Sequence, residues 1–398
     1  DSPGKSLIRI RNLQKKLSSL YPSLINEKIS LTSSFKFPSL ELAGASNVFG
    51  ATKERSARNG SLMANDPHFD LSAPSIFYLA RLQLTAGDVI GASLPGTPVI
   101  LSGRNEKLAW GFTASYLDDQ DIFMEEQKPS DSNIYRTEQG WTKFRTDKQY
   151  IKVKNSPDIE IQRKWSRNGP VLPKTAFDLS SITPNHHVAA LSWTALTETD
   201  TTISAAINLM LSQNVKNGLA ALENFYAPSV NFLLVDSEKM AIKTVGKMPK
   251  RSPLNETQGR MPSLGWKPEN SWRGYWGYEV NPIIKSSPGD VLANTNNKIS
   301  DEKFPKHMSH FWGDTQRILR LQKLMQNREV HTRESFIEAQ LDTISPTARA
   351  LLPIVGSGLW YSQPMGEAGS IERLRFDALS MLASWNGEMS EHLPEPLI

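Results

Sequence analysis

The stretch ASNVFGATKERSARNGSLMANDPHFDLSAPSIFYLARLQL, residues 45–84, decides the reading of this chain. It opens on a run of small and apolar residues around Ser46, which suits a buried strand. Asn65-Asp66-Pro67-His68 then punctuates the pattern with turn-forming types. SIFYLARLQLTAGD, from Ser75, reads as a helix closed by Gly87.

The same texture continues downstream. DVIGASLPG, PVILSG, LAWGFTAS and DIFMEE are short β-like runs separated by Gly, Pro, Asn and Asp. Residues 149–163 read as a hairpin, with Ile151 and Val153 alternating with lysines before NSPD, and Ile159 and Ile161 on the return. HVAALSW predicts a buried strand and NVKNGLAALENFYAPS a helix running into a loop. NFLLVDSEKMAIKTVG predicts two strands around DSEK. SLGWKPENSWRGYWGYEVNP reads as packed loop. DTQRILRLQKLMQ has the apolar stripe of a helix with Asp314 as N-cap, and Thr332 caps the next helix with Glu334 in its first turn. These runs predict an α+β chain of layered antiparallel strands.

Upstream, the texture differs. Residues 1–45 carry seven Lys/Arg against Asp1, Glu27 and Glu41, while the rest of the chain balances at 38 basic and 38 acidic residues. The net charge of +4 therefore belongs to the first segment. The folded body lacks the basic stripe of a nucleic-acid surface, so no nucleic-acid partner is expected. LIRIRNLQKKL suits a short amphipathic helix and SLTSSFKFPSL a loop. The opening DSPGKSLIRIRN lacks the apolar core of a signal peptide, so the chain reads as beginning inside a longer precursor. No apolar run reaches the roughly 18 residues of a membrane span, and no membrane partner is expected.

The chain has no cysteine among its 398 residues, which excludes disulfides, thiol catalysis and cysteine-ligated zinc. Serine, threonine, carboxylate and metal chemistry remain. There is no G-x-S-x-G, P-loop or G-x-G-x-x-G. Ser33-Ser34-Phe35-Lys36 matches S-x-x-K without a following K-T-G and reads as a chance match. His307 and His310 stand three apart outside an H-E-x-x-H context, and one of His186 and His187 is expected to face the core.

Ser46 stands out only with its surroundings. Ser46-Asn47, a small-residue strand, Asn65-Asp66-Pro67-His68, then the Pro-Gly turn, Gly-x-Asn, Ala-Trp-Gly and Asp-x-x-Asp of GASLPGTPVILSGRNEKLAWGFTASYLDDQDIFMEE follow one another in order. PSVNFLLVDSEK, VGKMPKR, YEVNP and VLANTNNK come later. In this order, over residues 42–385, the chain resembles the β-chain of the penicillin acylase family, which includes acyl-homoserine-lactone acylases. The resemblance implies an N-terminal-nucleophile hydrolase fold, an αββα four-layer sandwich with helical and loop-rich insertions. It implies that residues 1–45 are the α-chain tail and a linker removed on maturation, and that residues 46–398 are the catalytic region, C-terminally incomplete.

The resemblance also implies roles. Ser46, freed by cleavage after Ala45, becomes both nucleophile and base. An α-amine has a pKa near 8 and supplies the base that a serine hydroxyl lacks. The backbone N–H of Ala114, with Ser115 as the neighbouring alternative, and the side-chain amide of Asn231 are the implied oxyanion donors. His68 is implied to lie beside the amine, Asn47 to position it, and Arg251 to orient the amine or Asn231. Asp118 and Asp121, with the carbonyl of Gln120, match carboxylates that hold a structural calcium. The implied partners are an α-chain from the same precursor and a small-molecule N-acyl substrate. His68 favours an acyl-homoserine lactone or other aliphatic N-acyl amide over a β-lactam side-chain amide. A periplasmic or secreted location is implied. A catalytically silent homologue acting in binding or assembly, and a metal-dependent amidase using His307 and His310, remain alternatives at this stage.

Overall fold

The computed structural model describes residues 45–357 and 366–398, apart from 70–71, 301–308, 310–311 and 313–314. The expectations for residues 1–44, for His307 and His310, and for Asp314 as a cap lie outside the described residues.

The strands, in chain order, are β1 (Ala45–Ala51), β2 (Leu62–His68), β3 (Tyr78–Leu84), β4 (Gly87–Ser93), β5 (Ser102–Arg104), β6 (Ala109–Ala114) and β7 (Gln120–Lys128). Then follow β8 (Asp131–Thr137), β9 (Gly140–Lys143), β10 (Arg145–Ile151), β11 (Ile159–Ser166), β12 (Gly169–Pro170) and β13 (His187–Trp193). The last five are β14 (Val230–Val235), β15 (Met240–Val245), β16 (Ser263–Leu264), β17 (Ile283–Lys285) and β18 (Val291–Asn294). The helices are α1 (Thr202–Met210), α2 (Val215–Ala221), α3 (Gln316–Gln326), α4 (Arg333–Gln340), α5 (Pro346–Ser357) and α6 (Ile371–Ser384).

Two antiparallel sheets make the centre. One has the order β18-β1-β2, the other β17-β15-β14-β6-β5-β4-β3. Alternation along each strand sorts its side chains onto two faces. On β1, Val48 points between the sheets, where it packs with Leu233, Val235, Met240, Ile242 and Leu292. Its neighbours Phe49 and Ala51 point the other way, onto Leu321 and Met325 of α3 and Phe336 of α4. On β14, Leu233 and Val235 share the inter-sheet layer, while Val230, Phe232 and Leu234 pack outward with Leu209 of α1 and Val215 of α2. The result is helices, sheet, sheet, helices: the expected four layers. Both central strands are buried along their whole length, so β14 and β15 do not alternate apolar with exposed polar residues; their polar members, Asn231, Lys243 and Thr244, are buried too.

The sheets approach closely at Gly111, where an added Cβ would meet the side chains of Asn65 and Met63 at 2.7 Å. Asn65 uses that proximity. Its amide donates to the carbonyls of Asn47 and Phe112 (both 2.9 Å) and its oxygen accepts from Ser102 (2.7 Å). One side chain thus satisfies backbone groups of both sheets.

Local signals explain most elements. Asn214 caps α2 by accepting from the Asn217 N–H at 2.9 Å. Thr332 caps α4 in a reciprocal capping box with Ser335, and Glu334 lies in the first turn, as expected. The DSEK turn is held by Asp236, whose side chain accepts from the N–H groups of Glu238 and Lys239. Residues 149–163 form part of the β10–β11 hairpin, in register Ile151 to Ile159.

The helix expected at SIFYLARLQLTAGD is instead β3, paired with β4 from Tyr78–Ser93 to Leu84–Gly87. Ala80, Leu82 and Leu84 face the core while Arg81 and Gln83 face outward, a period of two. Gly87 does close the element, at φ +116°, but as a hairpin turn. Neither His186 nor His187 is buried. His187 is half-covered against Trp266, and the core positions of β13 fall to Ala189 and Ala190.

Candidate active site

Strand parity places Ser46 in the inter-sheet layer with Val48, at the start of β1. The same parity brings Thr113 of β6, Asn231 of β14 and Thr244 of β15 into one lateral row, in register across three strands. Asn294 comes from β18, opposite Val48. Apolar packing fills the middle of the layer, and this end of it is polar. All five side chains are buried, with Ser46 at 7% exposure and Asn294 at 0%. Each must therefore find a partner inside.

The partners form a closed network. Thr113 Oγ1 donates to Asn294 Oδ1 at 2.6 Å, and Asn231 Nδ2 donates to the same oxygen at 3.3 Å. Thr244 Oγ1 donates to Asn231 Oδ1 at 2.7 Å. Asn294 Oδ1 also accepts the Asn296 backbone N–H at 3.1 Å. That bond helps hold Asn296 in the left-handed region, φ +69°, a conformation asparagine tolerates better than most residues.

Asn296 then reaches Ser46 with both ends of its carboxamide. Its Oδ1 accepts the Ser46 backbone N–H at 2.8 Å, and its Nδ2 donates to Ser46 Oγ at 2.9 Å. Nδ2 also donates to the Ala114 carbonyl at 3.1 Å, and the Ala114 N–H donates to Ser46 Oγ at 3.4 Å. Two donors thus converge on the serine oxygen, and one amide bridges the nitrogen and hydroxyl of the same residue. Arg317, in the first turn of α3, closes the network from the helical layer. Its guanidinium donates to the Ser46 carbonyl (3.0 Å), to Asn296 Oδ1 (2.8 Å) and to the Thr295 carbonyl.

Several sequence expectations meet here. Ser46 is central, the Ala114 N–H points at its hydroxyl, and Asn231 lies in the supporting row. Of the two neighbouring candidates for the backbone donor, it is the Ala114 N–H that contacts Ser46 Oγ, while the buried Ser115 hydroxyl accepts from the Leu117 N–H at 3.3 Å. Other residues singled out from the sequence lie away from this network. His68 pairs in register with Ala45, not Ser46, and therefore projects on the opposite face of the sheet. Its Nε2 lies 2.8 Å from Asp66 Oδ2, two residues away on the same face. Asn47 also projects away from the network and contributes its carbonyl to Asn65.

Arg251 is elsewhere too. Its Nε and Nη2 donate to Asp121 at 2.8–3.2 Å, Nη2 also donates to the Asp118 carbonyl at 3.1 Å, and its contact with Asp118 Oδ1 is 3.4 Å. Trp272 Nε1 donates to the second oxygen of Asp121 at 2.6 Å. Both oxygens of Asp121 are therefore committed to donors. A guanidinium supplies the positive charge where the resemblance implies calcium. The donor set does not fit a cation at Asp118, Gln120 and Asp121 without displacing Arg251. Burial still pushes the Asp118 carboxyl up to about 6, against the pull of Arg251, with Asp121 and Asp119 adding to the rise. Burial likewise raises Asp119 to about 6.

Asn294, Asn296, Thr113 and Arg317 were not singled out from sequence. VLANTNNK held the signal for the asparagines, since three side-chain amides follow an apolar strand that ends at the buried layer. Arg317 had none, because nothing distinguishes it from the other cations of its amphipathic helix.

The sequence pattern of the family described as penicillin amidase matches residues 4–398. The acyl-homoserine lactone acylase QuiP of Pseudomonas aeruginosa is 25% identical over 359 residues, covering 87% of this chain and 42% of that protein. The penicillin G acylase of Escherichia coli is 25% identical over 354 residues, covering 84% of this chain and 39% of that protein. The chain thus spans well under half the length of these relatives. Among solved structures, a thermostable penicillin G acylase from Alcaligenes faecalis superposes with a TM-score of 0.73 at 21% identity, covering 88% of this chain and 62% of that one. That likeness establishes the shared fold.

Proposed function

Since this chain belongs to the penicillin amidase family, we propose that it carries the catalytic centre of an N-acyl amide hydrolase with Ser46 as an N-terminal nucleophile. The observation that carries the proposal is the Asn296 bridge. One buried carboxamide holds the nitrogen and the hydroxyl of Ser46 together, beside a backbone N–H aimed at the same oxygen.

In the continuous chain the Ser46 nitrogen is an amide and cannot act as a base. Maturation begins with attack of Ser46 Oγ on the Ala45 carbonyl carbon. The C–N bond breaks and the acyl group passes from nitrogen to oxygen. Water then hydrolyses the ester, releasing Ala45 as a carboxylate and leaving a free α-amine on Ser46. This amine, with an unperturbed pKa near 8, takes the hydroxyl proton as Oγ attacks a substrate amide. The Ala114 N–H stabilises the oxyanion, and the Asn231 side-chain amide is the second donor implied by the resemblance. The resulting ammonium gives its proton to the departing amine. A water molecule, deprotonated by the same amine, hydrolyses the acyl-enzyme to a carboxylic acid and regenerates Ser46.

We assign the substrate class as linear N-acyl amides, with acyl-homoserine lactones ahead of β-lactam side-chain amides. The relatives named acyl-homoserine lactone acylase support this order. The mature protein is proposed to be a heterodimer with the preceding α-chain, outside the cytoplasm. The exposure of Leu79 (85%) and Tyr78 on the edge strand β3 supports a further covering element. Structural calcium is left out of the proposal, because Arg251 holds the place it would need.

The test is N-terminal sequencing of the chains purified after expression of the full-length precursor, followed by hydrolysis assays on acyl-homoserine lactones and penicillin G. A chain beginning Ser-Asn-Val-Phe that hydrolyses an acyl amide, with both properties lost in Ser46→Ala, supports the assignment. A correctly folded but uncut precursor without activity overturns it in favour of a silent homologue.

A further inference from the structure

Asn231 on β14 and Thr244 on β15 are paired directly across the two strands, and both side chains are buried in the layer between the sheets. The Thr244 hydroxyl donates to Asn231 Oδ1 at 2.7 Å. The other end of the same carboxamide is held loosely. Its Nδ2 stands 3.3 Å from Asn294 Oδ1 and 3.5 Å from Thr113 Oγ1. Both are longer than the roughly 2.7–3.2 Å usual for an N–H···O bond.

A hydroxyl can donate or accept, so Thr244 alone does not decide which end of the carboxamide faces it. The backbone decides. The Asn296 N–H can only donate, and it meets one end of the Asn294 side chain at 3.1 Å. The Asn297 carbonyl can only accept, and it meets the other end at 3.2 Å. Asn294 is thereby fixed with its oxygen toward Asn231. An oxygen of Asn231 on that side would face another acceptor, so the NH2 group takes it and points toward the sheet that carries Ser46. The Asn231 oxygen turns to Thr244, which must donate.

The hydroxyl is the donor found for that oxygen among the described residues. Asn231 is 2% and Thr244 4% exposed, so bulk water does not replace it. Thr244 is itself fixed. Its N–H donates to the Pro282 carbonyl at 3.0 Å, and its branched Cβ restricts χ1. Asn294 Oδ1 already accepts from Thr113 and from the Asn296 N–H, at 2.6 and 3.1 Å. An anionic oxygen attracts an N–H more strongly than a neutral one and competes well for Nδ2. A carboxamide anchored firmly by its oxygen and lightly by its nitrogen is oriented in advance and still free to donate.

We propose that Thr244 is a positioning residue for amide hydrolysis, its hydroxyl holding the Asn231 carboxamide with the NH2 group turned toward the developing oxyanion. The inference rests on the N-terminal-nucleophile reading above, with Asn231 as the second oxyanion donor.

The experiment compares wild type, Thr244→Val, Thr244→Ser, Asn231→Ala, the double variant Thr244→Val/Asn231→Ala, and Ser46→Ala. The region preceding Ser46 is supplied as a separate chain. The second chain starts at Met-Ser46, so that a processing defect cannot hide the result, and removal of the initiator Met is verified by N-terminal sequencing. Thr244→Val keeps the branched shape and deletes the donor. Its kcat is expected to fall by about 10- to 100-fold, short of the roughly 10²–10³ lost when an oxyanion donor is deleted outright, with KM little changed. Thr244→Ser, which keeps the hydroxyl, is expected to recover most of kcat. In the Asn231→Ala background, Thr244→Val is expected to cost less than about twofold more, because the group it positions is gone. If Thr244→Val does not fold, Thr244→Ala deletes the same hydroxyl and is held to the same outcomes. A hydroxyl-free variant with near wild-type kcat overturns the proposal. So does a loss that Thr244→Ser shares in full, or one that persists undiminished without Asn231. Failure of the underlying reading has a different signature, and the proposal falls with it: activity that persists in Ser46→Ala, or none in a wild type whose free Ser46 terminus is verified.

Discussion

Replacing Asn296 tests the centre of the site. The side chain makes four contacts, two of them with the nucleophile: Oδ1 with the Ser46 nitrogen and Arg317, Nδ2 with Ser46 Oγ and the Ala114 carbonyl. Asn296→Ala removes all four and leaves buried groups unpartnered, at about 1–3 kcal/mol for a neutral one. It also forces alanine into a left-handed backbone, which costs roughly a further 1–2 kcal/mol. A loss of activity in this variant alone could thus reflect misfolding. Asn296→Gly separates the effects, because glycine accepts φ +69° freely while deleting the same carboxamide. For matured Asn296→Gly, kcat is expected to fall by about 10²–10³, the usual loss when one well-placed donor is removed from an acyl-transfer site. KM should change far less, because the lost contacts are to the nucleophile and not to bound substrate. The assay is steady-state hydrolysis of an N-acyl amide by enzyme whose Ser46 terminus has been verified, with the thermal midpoint measured in parallel. A matured Asn296→Gly with near wild-type kcat would refute the idea that the carboxamide organises the nucleophile.

Four other perturbations probe the surrounding structure. Arg251→Met leaves Asp118 and Asp121 without their counter-charge and is expected to destabilise the fold by about 3–5 kcal/mol in urea titration. Chelation of divalent cations should leave the wild-type thermal midpoint unmoved, and a clear drop would restore the calcium expectation. Asp118, raised to about 6 by burial, binds its proton more tightly in the folded state than in the unfolded one. It therefore lowers stability as pH rises from about 4 to about 6, and Asp118→Asn should reduce the fall of the urea midpoint across that window, the remainder belonging to Asp119, which burial raises equally. Phe49 is 1% exposed and packs on Phe336 with ring centroids 5.0 Å apart, so Phe49→Ala should cost about 3–5 kcal/mol by urea denaturation. An effect under about 1 kcal/mol would mean that the contact between the sheet and α3–α4 is not a rigid core.

Much of this molecule is decided locally. The alternation in ASNVFGA fixes which residues of β1 face the second sheet and which face the helices, and so puts Ser46 in the buried layer with Val48. The same parity in VNFLLV puts Asn231 there. Thr332 and the DSEK turn specify their own geometry, because a cap or a turn needs only neighbours in sequence. The ordered motifs from Ser46-Asn47 to VLANTNNK were enough to point to the family and, with it, the four layers. Sequence did not determine what depends on the packing of distant segments. YLARLQL carries both a helical stripe and a strand alternation, and pairing with β4 settles the choice. Arg251 lies close in sequence to the strand bearing Asn231, yet it turns to Asp121, because a buried carboxylate offers a guanidinium more than a neutral amide does. His68 follows Ser46 closely along the chain but projects on the wrong face, since a strand register is set by its partner and one position reverses every side chain. Asn296 and Arg317 reach Ser46 across 250 and 271 residues. Only the stacking of β18 beside β1 and of α3 over their sheet brings them there, because hydrogen bonds of this kind are specified by tertiary proximity and leave no periodic trace in the chain.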